Sequence, residues 1–312
     1  MRITCTFRQI LAQSRQMPKR IYQYKSEQLF PHPAALLRVH RQPYQFTEQL
    51  HTHDFVELVL VMAGTAVHRV GSTSYQLEAG DVFVINRHHL HGYECPTSFH
   101  IVNLLIREPF FRRVAPLFAD LPGYQSLFTI GAHSTKASVF DSRMRMGGAD
   151  WKRVEELVNL MERESARSSQ GGEAMAEAYL TLIVGILARA YGQVRMSPVP
   201  MVTRIGQLLA LIEQNADQPV SLSDLSRVAM MSERSLLRKF KEATGSAPLE
   251  HLIRIRLRKA CALLQAPGES VTHQEIADRC GFVTGNYFAR QFKRHLGCSP
   301  SDWVKKNSEP RI

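Results

Sequence analysis

The sequence predicts an α+β chain in two parts: a β-rich N-terminal half and an all-α C-terminal half carrying two helix-turn-helix units. Three observations predict it. Short apolar runs separated by turn residues fill residues 34–107, two apolar helical stretches follow, and one pattern of caps, basic residues and phenylalanines recurs at a fixed offset in the last third. The 312 residues exceed one ordinary core of about 100–150 residues, so two domains are expected. Hydrophobic residues at 44% and charged residues at 21% are the composition of a globular protein and argue against wholesale disorder. Thirty-nine Lys and Arg against 28 Asp and Glu leave a formal charge of +11, which favours an anionic partner, nucleic acid or membrane surface.

The elements follow in order. Residues 1–30 form a polar, basic lead without a sustained period, and Met1–Gln16 lack the continuous apolar stretch of a secretory signal. Phe55–Met62, Ala66–Val70, Ser74–Leu77, Val82–Ile85 and His100–Ile106 read as strands, with Gly64, Gly71, Gly80-Asp81 and Pro96 as turns between them. Many short strands with glycine-marked turns predict a barrel or a sandwich. Trp151–Glu164 and Ala174–Ala190 read as helices, and the second is apolar on more than one stripe, as expected if it packs on the β-rich half and also on a second subunit. Its most apolar stretch, Tyr179–Ala190, is too short for a membrane span. Residues 193–203, with Pro198 and Pro200, are the expected linker. The expected division is thus a lead at 1–30, a β-rich domain with its two helices at 31–192, the linker at 193–203, and an all-α domain at 204–308. The five cysteines, Cys5, Cys95, Cys261, Cys280 and Cys298, are scattered and odd in number, which fits a reducing cytoplasm and no disulfide framework.

Beyond the linker, short helices are expected at Thr203–Gln214, after Ser221, at Ser232–Thr244, His251–Leu264, Thr272–Arg279 and Thr284–Leu296. At an offset of 52 residues Arg238 falls on Arg290, Phe240 on Phe292, Lys241 on Lys293, Gly245 on Gly297 and Pro248 on Pro300. Each copy reads as a helix, a tight turn and a second helix able to enter the major groove of double-stranded DNA. Residues 201–312 hold 17 basic and 11 acidic side chains, a denser basic excess than in the preceding part. Helix phase turns Arg234, Leu237 and Arg238 outward in the first copy and Asn286, Ala289 and Arg290 in the second. Arginine can fork onto guanine O6 and N7, asparagine can bind adenine N6 and N7, and leucine can only offer an apolar contact. Lys241, Lys293 and Arg294 suit phosphates, adding salt-dependent affinity without reading bases.

The run Glu275–Phe282, continued by Asn286–Lys293 and Gly297–Trp303, resembles the C-terminal signature of the AraC/XylS family of bacterial transcription regulators. Leu222–Leu252 looks like that family's first helix-turn-helix. The resemblance implies a double-headed DNA-binding module whose base-facing positions are the same six that helix phase selects. The N-terminal runs from Leu50 (LHTHDFVELVLVMAGTAVH) and Tyr75–Ile85 are similar to the effector domains of the rhamnose-catabolism activators. This implies a homodimeric activator of sugar-catabolic genes that responds to a small sugar, L-rhamnose foremost, and contacts RNA polymerase. No membrane association is expected.

His51-x-His53-x₃-Glu57-x₆-Gly64 matches the first motif of cupins, so a cupin-like β-barrel is the expected N-terminal fold. Such groups can bind a divalent metal, which defines the alternative reading, a metal-dependent cupin dioxygenase or isomerase. The second cupin motif is poor, because Gly80-Asp81 leads into an apolar strand and then Asn86–His91. In regulators that this chain resembles, the retained His and Glu are read as a polar sugar pocket. His51, His53, Glu57, Arg69, His91 and Tyr93 are therefore the expected effector-binding residues, with no cofactor, no metal and no catalytic residue. GxSxG, GxxxxGK[ST] and HExxH are all absent from the sequence.

Overall fold

A computed structural model describes residues 21–44, 47–71, 73–130, 143–167, 171–193, 200–265 and 272–308. Most of the expected lead and the core of the linker at 194–199 lie outside the described residues. Eight strands form one mixed sheet: β1 (Tyr22–Tyr24), β2 (Leu37–Tyr44), β3 (Glu48–His53), β4 (Val56–Val70), β5 (Thr73–Glu78), β6 (Asp81–Ile85), β7 (His91–Ile106) and β8 (Met144–Arg145). Their order is β1-β3-β7-β4-β6-β8, with β2 added on β7 and β5 on β4. β1 pairs with β3 in parallel, and all the other pairs are antiparallel.

The closed cupin-like barrel does not form; the sheet is open. Long β4 and β7, of 15 and 16 residues, make a central ribbon from which the other strands branch. Among the described residues β1, β2, β5 and β8 each pair with one strand, so the ladder never returns to its start. Apolar runs and glycine turns report that a strand is buried, but they carry no information about whether the outer strands meet. Gly64, expected as a turn between two strands, instead takes φ +73° within β4, where the register against β7 shifts.

Both faces of the ribbon are covered, which explains why Phe55–Met62, apart from Glu57, is apolar at successive positions instead of alternating. Leu58, Leu60, Val82, Val102 and Leu104 face one core, shared with helices α1 (Glu108–Phe118), α2 (Gly148–Arg167) and α3 (Gly172–Gln193). Val59, Val61, Phe83, Phe99 and Ile101 face a second core with Leu77 and Tyr93. α3 has 22 residues, longer than the stretch singled out in the sequence, and by length and composition it is apolar enough to cross a membrane. Its Leu180, Ile183, Val184 and Leu187 are nevertheless buried in the first core, while Met175 and Leu182 stay exposed.

The C-terminal helices are α4 (Met201–Gln214), α5 (Leu222–Val228), α6 (Glu233–Thr244), α7 (Pro248–Gln265), α8 (His273–Cys280), α9 (Gly285–Leu296) and α10 (Pro300–Ser308). They enclose one core around Leu236 and Phe240 and another around Phe288 and Phe292. The 52-residue repeat is realised in the caps. Ser232 and Thr284 each accept the backbone N–H three residues on, and Gly245 and Gly297 close their helices at φ +77° and +78°.

The halves meet at Pro122–Ile130, a helical turn that continues as a short π-helix over Gln125–Thr129. Ile130 enters the core of Val202, Ile205 and Leu209, and Gln214 Nε2 donates to the Asp120 carbonyl at 2.9 Å. Gly206 lets α4 approach this turn: a Cβ there would stand 2.1 Å from Ser126 Oγ and 2.8 Å from the Pro122 carbonyl oxygen. Gly206→Ala is therefore expected to destabilise the chain by about 1–3 kcal/mol through overpacking, despite alanine's better helix propensity. Urea unfolding of the full chain measures it, and an unchanged or raised midpoint would remove the close contact.

Candidate functional site

Two surfaces bear on function, one on the recognition helices and one inside the sheet. On α6 the side chains of Arg234, Leu237 and Arg238 are exposed, opposite buried Leu236 and Phe240. On α9 Asn286 and Arg290 are exposed and Ala289 is half-buried, opposite buried Phe288 and Phe292. Lys241, Lys293 and Arg294 are exposed near the C-terminal ends of the same helices. Arg238 Nη1 lies 3.3 Å from Glu242 Oε1, and the Arg290 guanidinium lies 5.3 Å from the Tyr287 ring centre. Both contacts run along the surface of one helix and cost little to break.

Two apolar side chains beside these faces escaped the sequence reading. Met230, at φ +52° in the first turn, is 70% exposed, and Val283, just before α9, is 84% exposed. Apolar residues in the tight turn that precedes each recognition helix were the available signal.

Arg256 was counted in the basic excess of the DNA-binding half, but it does not face solvent. Its Nε donates to the Ala216 carbonyl at 2.6 Å and its Nη2 to the Gln218 carbonyl at 2.8 Å, and its guanidinium lies 5.9 Å from the Phe282 ring centre. Burial holds its pKa below the usual arginine value, and the two carbonyls accept hydrogen bonds from the guanidinium. Gly281, at φ +78°, ends α8 against the same loop, where a Cβ would come within 2.6 Å of the Asp217 carbonyl oxygen. One buried cation thus joins α7, the loop after α4 and the turn of the second helix-turn-helix.

Inside the sheet, neighbouring β3, β7 and β4 bring most of the expected effector residues together. His51 is paired with His91 across the β3–β7 ladder, Glu48 with Tyr93, and His68 with Tyr93 across β4–β7. The rings of His51 and His91 are 4.1 Å apart, and His53 Nε2 and His91 Nε2 lie 3.2 and 3.4 Å from the same Glu57 Oε2. Burial raises the Glu57 carboxyl, and only positive charge and hydrogen bonds offered from His53 and His91 would outweigh it and hold it below the carboxylate range. Burial lowers His51, and more strongly His68.

Arg69 is not part of this group. It pairs with Glu94 at 2.6 Å, on a half-exposed position of β4. The adjacent His68 points inward instead, stacking on Tyr93 at 5.0 Å. Strand alternation was the signal: His68 is two residues from buried Ala66 and Val70 is two residues on, so all three share a face.

Comparison with known proteins finds a family model matching each half of the chain. Residues 32–183 match the model of the AraC-like ligand binding domain, and residues 225–306 match a helix-turn-helix domain model. The HTH-type transcriptional activator RhaS of Enterobacter sp. (strain 638) is 31% identical over 252 residues, covering 81% of this chain and 86% of that protein. RhaR of Escherichia coli O139:H28 (strain E24377A / ETEC) is 26% identical over 260 residues, covering 83% and 88%. Among solved structures, the DNA-binding domain of AdpA in complex with a target DNA is similar at 30% identity and a TM-score of 0.32, over 35% of this chain and 98% of that one.

Replacing Arg256 with Ala leaves the Ala216 and Gln218 carbonyls without their donor and is expected to cost about 2–4 kcal/mol in denaturant unfolding. A loss of under about 0.5 kcal/mol, as for an ordinary surface arginine, would show that the guanidinium is not holding these segments together.

Proposed function

Because the chain belongs to the AraC/XylS family of transcription regulators and is a DNA-binding protein, not an enzyme, we propose that it activates sugar-catabolic genes in response to L-rhamnose. The observation that carries the DNA half is the pair of recognition helices, each buried by one aromatic or apolar face and each leaving a polar, basic face exposed at matching positions. In this reading Arg234, Leu237 and Arg238 contact bases in one major-groove segment, and Asn286, Ala289 and Arg290 contact bases in the next. Lys241, Lys293 and Arg294 contact phosphates. Arg238 must exchange its Glu242 contact for a base, a small cost at an exposed pair.

The effector half rests on similarity to rhamnose activators and on the polar group around His51, His91 and Tyr93. A sugar offers hydroxyls to directed donors and acceptors and an apolar ring face to aromatic side chains. Residues 31–192 then bind effector and dimerise, and 204–308 bind DNA, in the cytoplasm. The exposed Met175 and Leu182 of α3 support a homodimer through that helix. For sugar to regulate DNA binding it must bind one arrangement of the halves more tightly than the other. Contact with RNA polymerase completes the activator reading.

Arg238→Ala is expected to cost about 1–3 kcal/mol in operator affinity and to relax preference at one base pair, whereas Lys241→Ala should weaken all sequences alike and reduce the salt slope by about one. Titrations against a panel of single-base operator variants distinguish the two; uniform loss for Arg238→Ala makes it a phosphate contact. Calorimetric titration of the full chain with L-rhamnose, L-fucose and L-arabinose should give saturable heat for L-rhamnose above the others. Equal or absent heats would remove the rhamnose assignment and leave DNA recognition untouched.

A further inference from the structure

Three groups converge inside the sheet from three neighbouring strands: His53 from β3, Glu57 from β4 and His91 from β7. We propose that they bind one divalent first-row transition cation. The inference stands on the geometry of these side chains and does not depend on which sugar the protein senses. It departs from the expectation, drawn from the sequence, of no bound metal.

The hydrogen bonds of the rings fix their tautomers. His53 Nδ1 lies 2.7 Å from the Phe55 carbonyl oxygen and His91 Nδ1 lies 3.0 Å from that of His89. A carbonyl only accepts, so each Nδ1 carries the proton and each neutral ring keeps a lone pair on Nε2. Both Nε2 atoms are buried, and although close to Glu57 Oε2 they make no aligned hydrogen bond with it. Two imidazole lone pairs and a carboxylate oxygen thus point at one another, an arrangement that repels unless positive charge sits among them.

The spacing matches a coordination polyhedron. Ligand atoms about 2.0–2.1 Å from one ion are about 3.0 Å apart at a right angle and about 3.4 Å apart at the tetrahedral angle. The two Nε2–Oε2 separations are 3.2 and 3.4 Å, and the ligand atoms of all three residues lie within 4.8 Å of one another. That interval admits an ion and not a pyranose ring. The second nitrogen of each ring is anchored to the backbone, as in oriented metal-binding histidines. Two imidazoles and one carboxylate suit zinc, iron(II), cobalt or nickel better than magnesium or calcium. Three protein ligands leave coordination positions open to oxygen, from water or from a hydroxylated effector. His51, with its own Nδ1 3.0 Å from the Gln49 carbonyl oxygen, stands beside His91.

The competing occupant is a proton on each Nε2, making an imidazolium pair around Glu57. Untagged full-length protein, stripped with a chelator and dialysed, separates the two. Calorimetry and elemental analysis with Zn²⁺, and the absorption spectrum with Co²⁺, should show one equivalent bound, with nitrogen–oxygen and not thiolate ligation, and a raised melting temperature. Glu57→Gln and His91→Gln should each weaken binding at least about tenfold. His100→Gln, an exposed histidine on the same strand as His91, should not change it. If either ligand variant fails to fold, histidine nitrogen shifts of the wild-type protein decide: zinc must move the Nε2 resonances of two buried rings. Absence of stoichiometric uptake by the folded wild type, or wild-type affinity in both folded ligand variants, overturns the proposal. Neither result bears on DNA recognition.

Discussion

Two recognition helices can act as one unit only if they are held in a fixed relation, and here the guanidinium of Arg256 helps to hold it. Each helix-turn-helix has its own small core, around Phe240 in one and Phe292 in the other, and cores of that size do not orient one another. α7 connects them, but a single helix fixes separation better than it fixes rotation. Arg256 supplies the missing constraint by donating to two carbonyls of the loop after α4 while lying against Phe282 of the second unit. Gly281 makes that approach possible, since any side chain there would meet the Asp217 carbonyl. The charge is spent inside the fold, where it ties the loop after α4 to the second unit.

The same logic applies one level up, between the halves. Pro122–Ile130 is wedged between α3 and α4: a Cβ at Gly123 would overlap the Ala188 carbonyl, and one at Gly206 would overlap Ser126. Ile130 belongs to a core made otherwise of DNA-binding-half residues. A segment packed this closely on both sides does not deform smoothly; it changes by discrete repacking. The π-turn at Gln125–Thr129 spoils regular helical hydrogen bonding at that place. An effector signal passing from the sheet to α4 by packing would have this short stretch as its route.

What could be read from the sequence was what local chemistry encodes. The repeat at 52 residues places Ser232 over Thr284 and Gly245 over Gly297, and those caps set the ends of α6 and α9 because N-cap hydroxyls and left-handed glycines act within one turn of chain. Helix phase likewise separated Leu236 and Phe240 from Arg234 and Arg238. Sheet closure was not legible, because β4 pairs with three strands and its apolar run reports only that both faces are buried. Arg256 was legible in principle. It shares a helical stripe with Leu252, Ile255 and Ala260, and a charge on a buried stripe demands partners.

The histidines show where motif spacing stops and geometry begins. Spacing brought His51, His53 and Glu57 together on paper, but β alternation decides which neighbours join them: Arg69 turns to Glu94, and His68 turns to Tyr93. A motif also says nothing about tautomers. Only when Phe55 and His89 are seen to occupy the Nδ1 protons does it follow that His53 and His91 present lone pairs to the same carboxylate oxygen. Burying a carboxylate costs several kcal/mol unless a compensating charge stands beside it. Among the described residues within reach of Glu57 Oε2, the groups offered are the two imidazoles, so the compensating charge must be carried by something they hold. A proton on each ring or one shared cation are the two ways to supply it, and the lack of an aligned hydrogen bond from either Nε2 to that oxygen favours a shared cation.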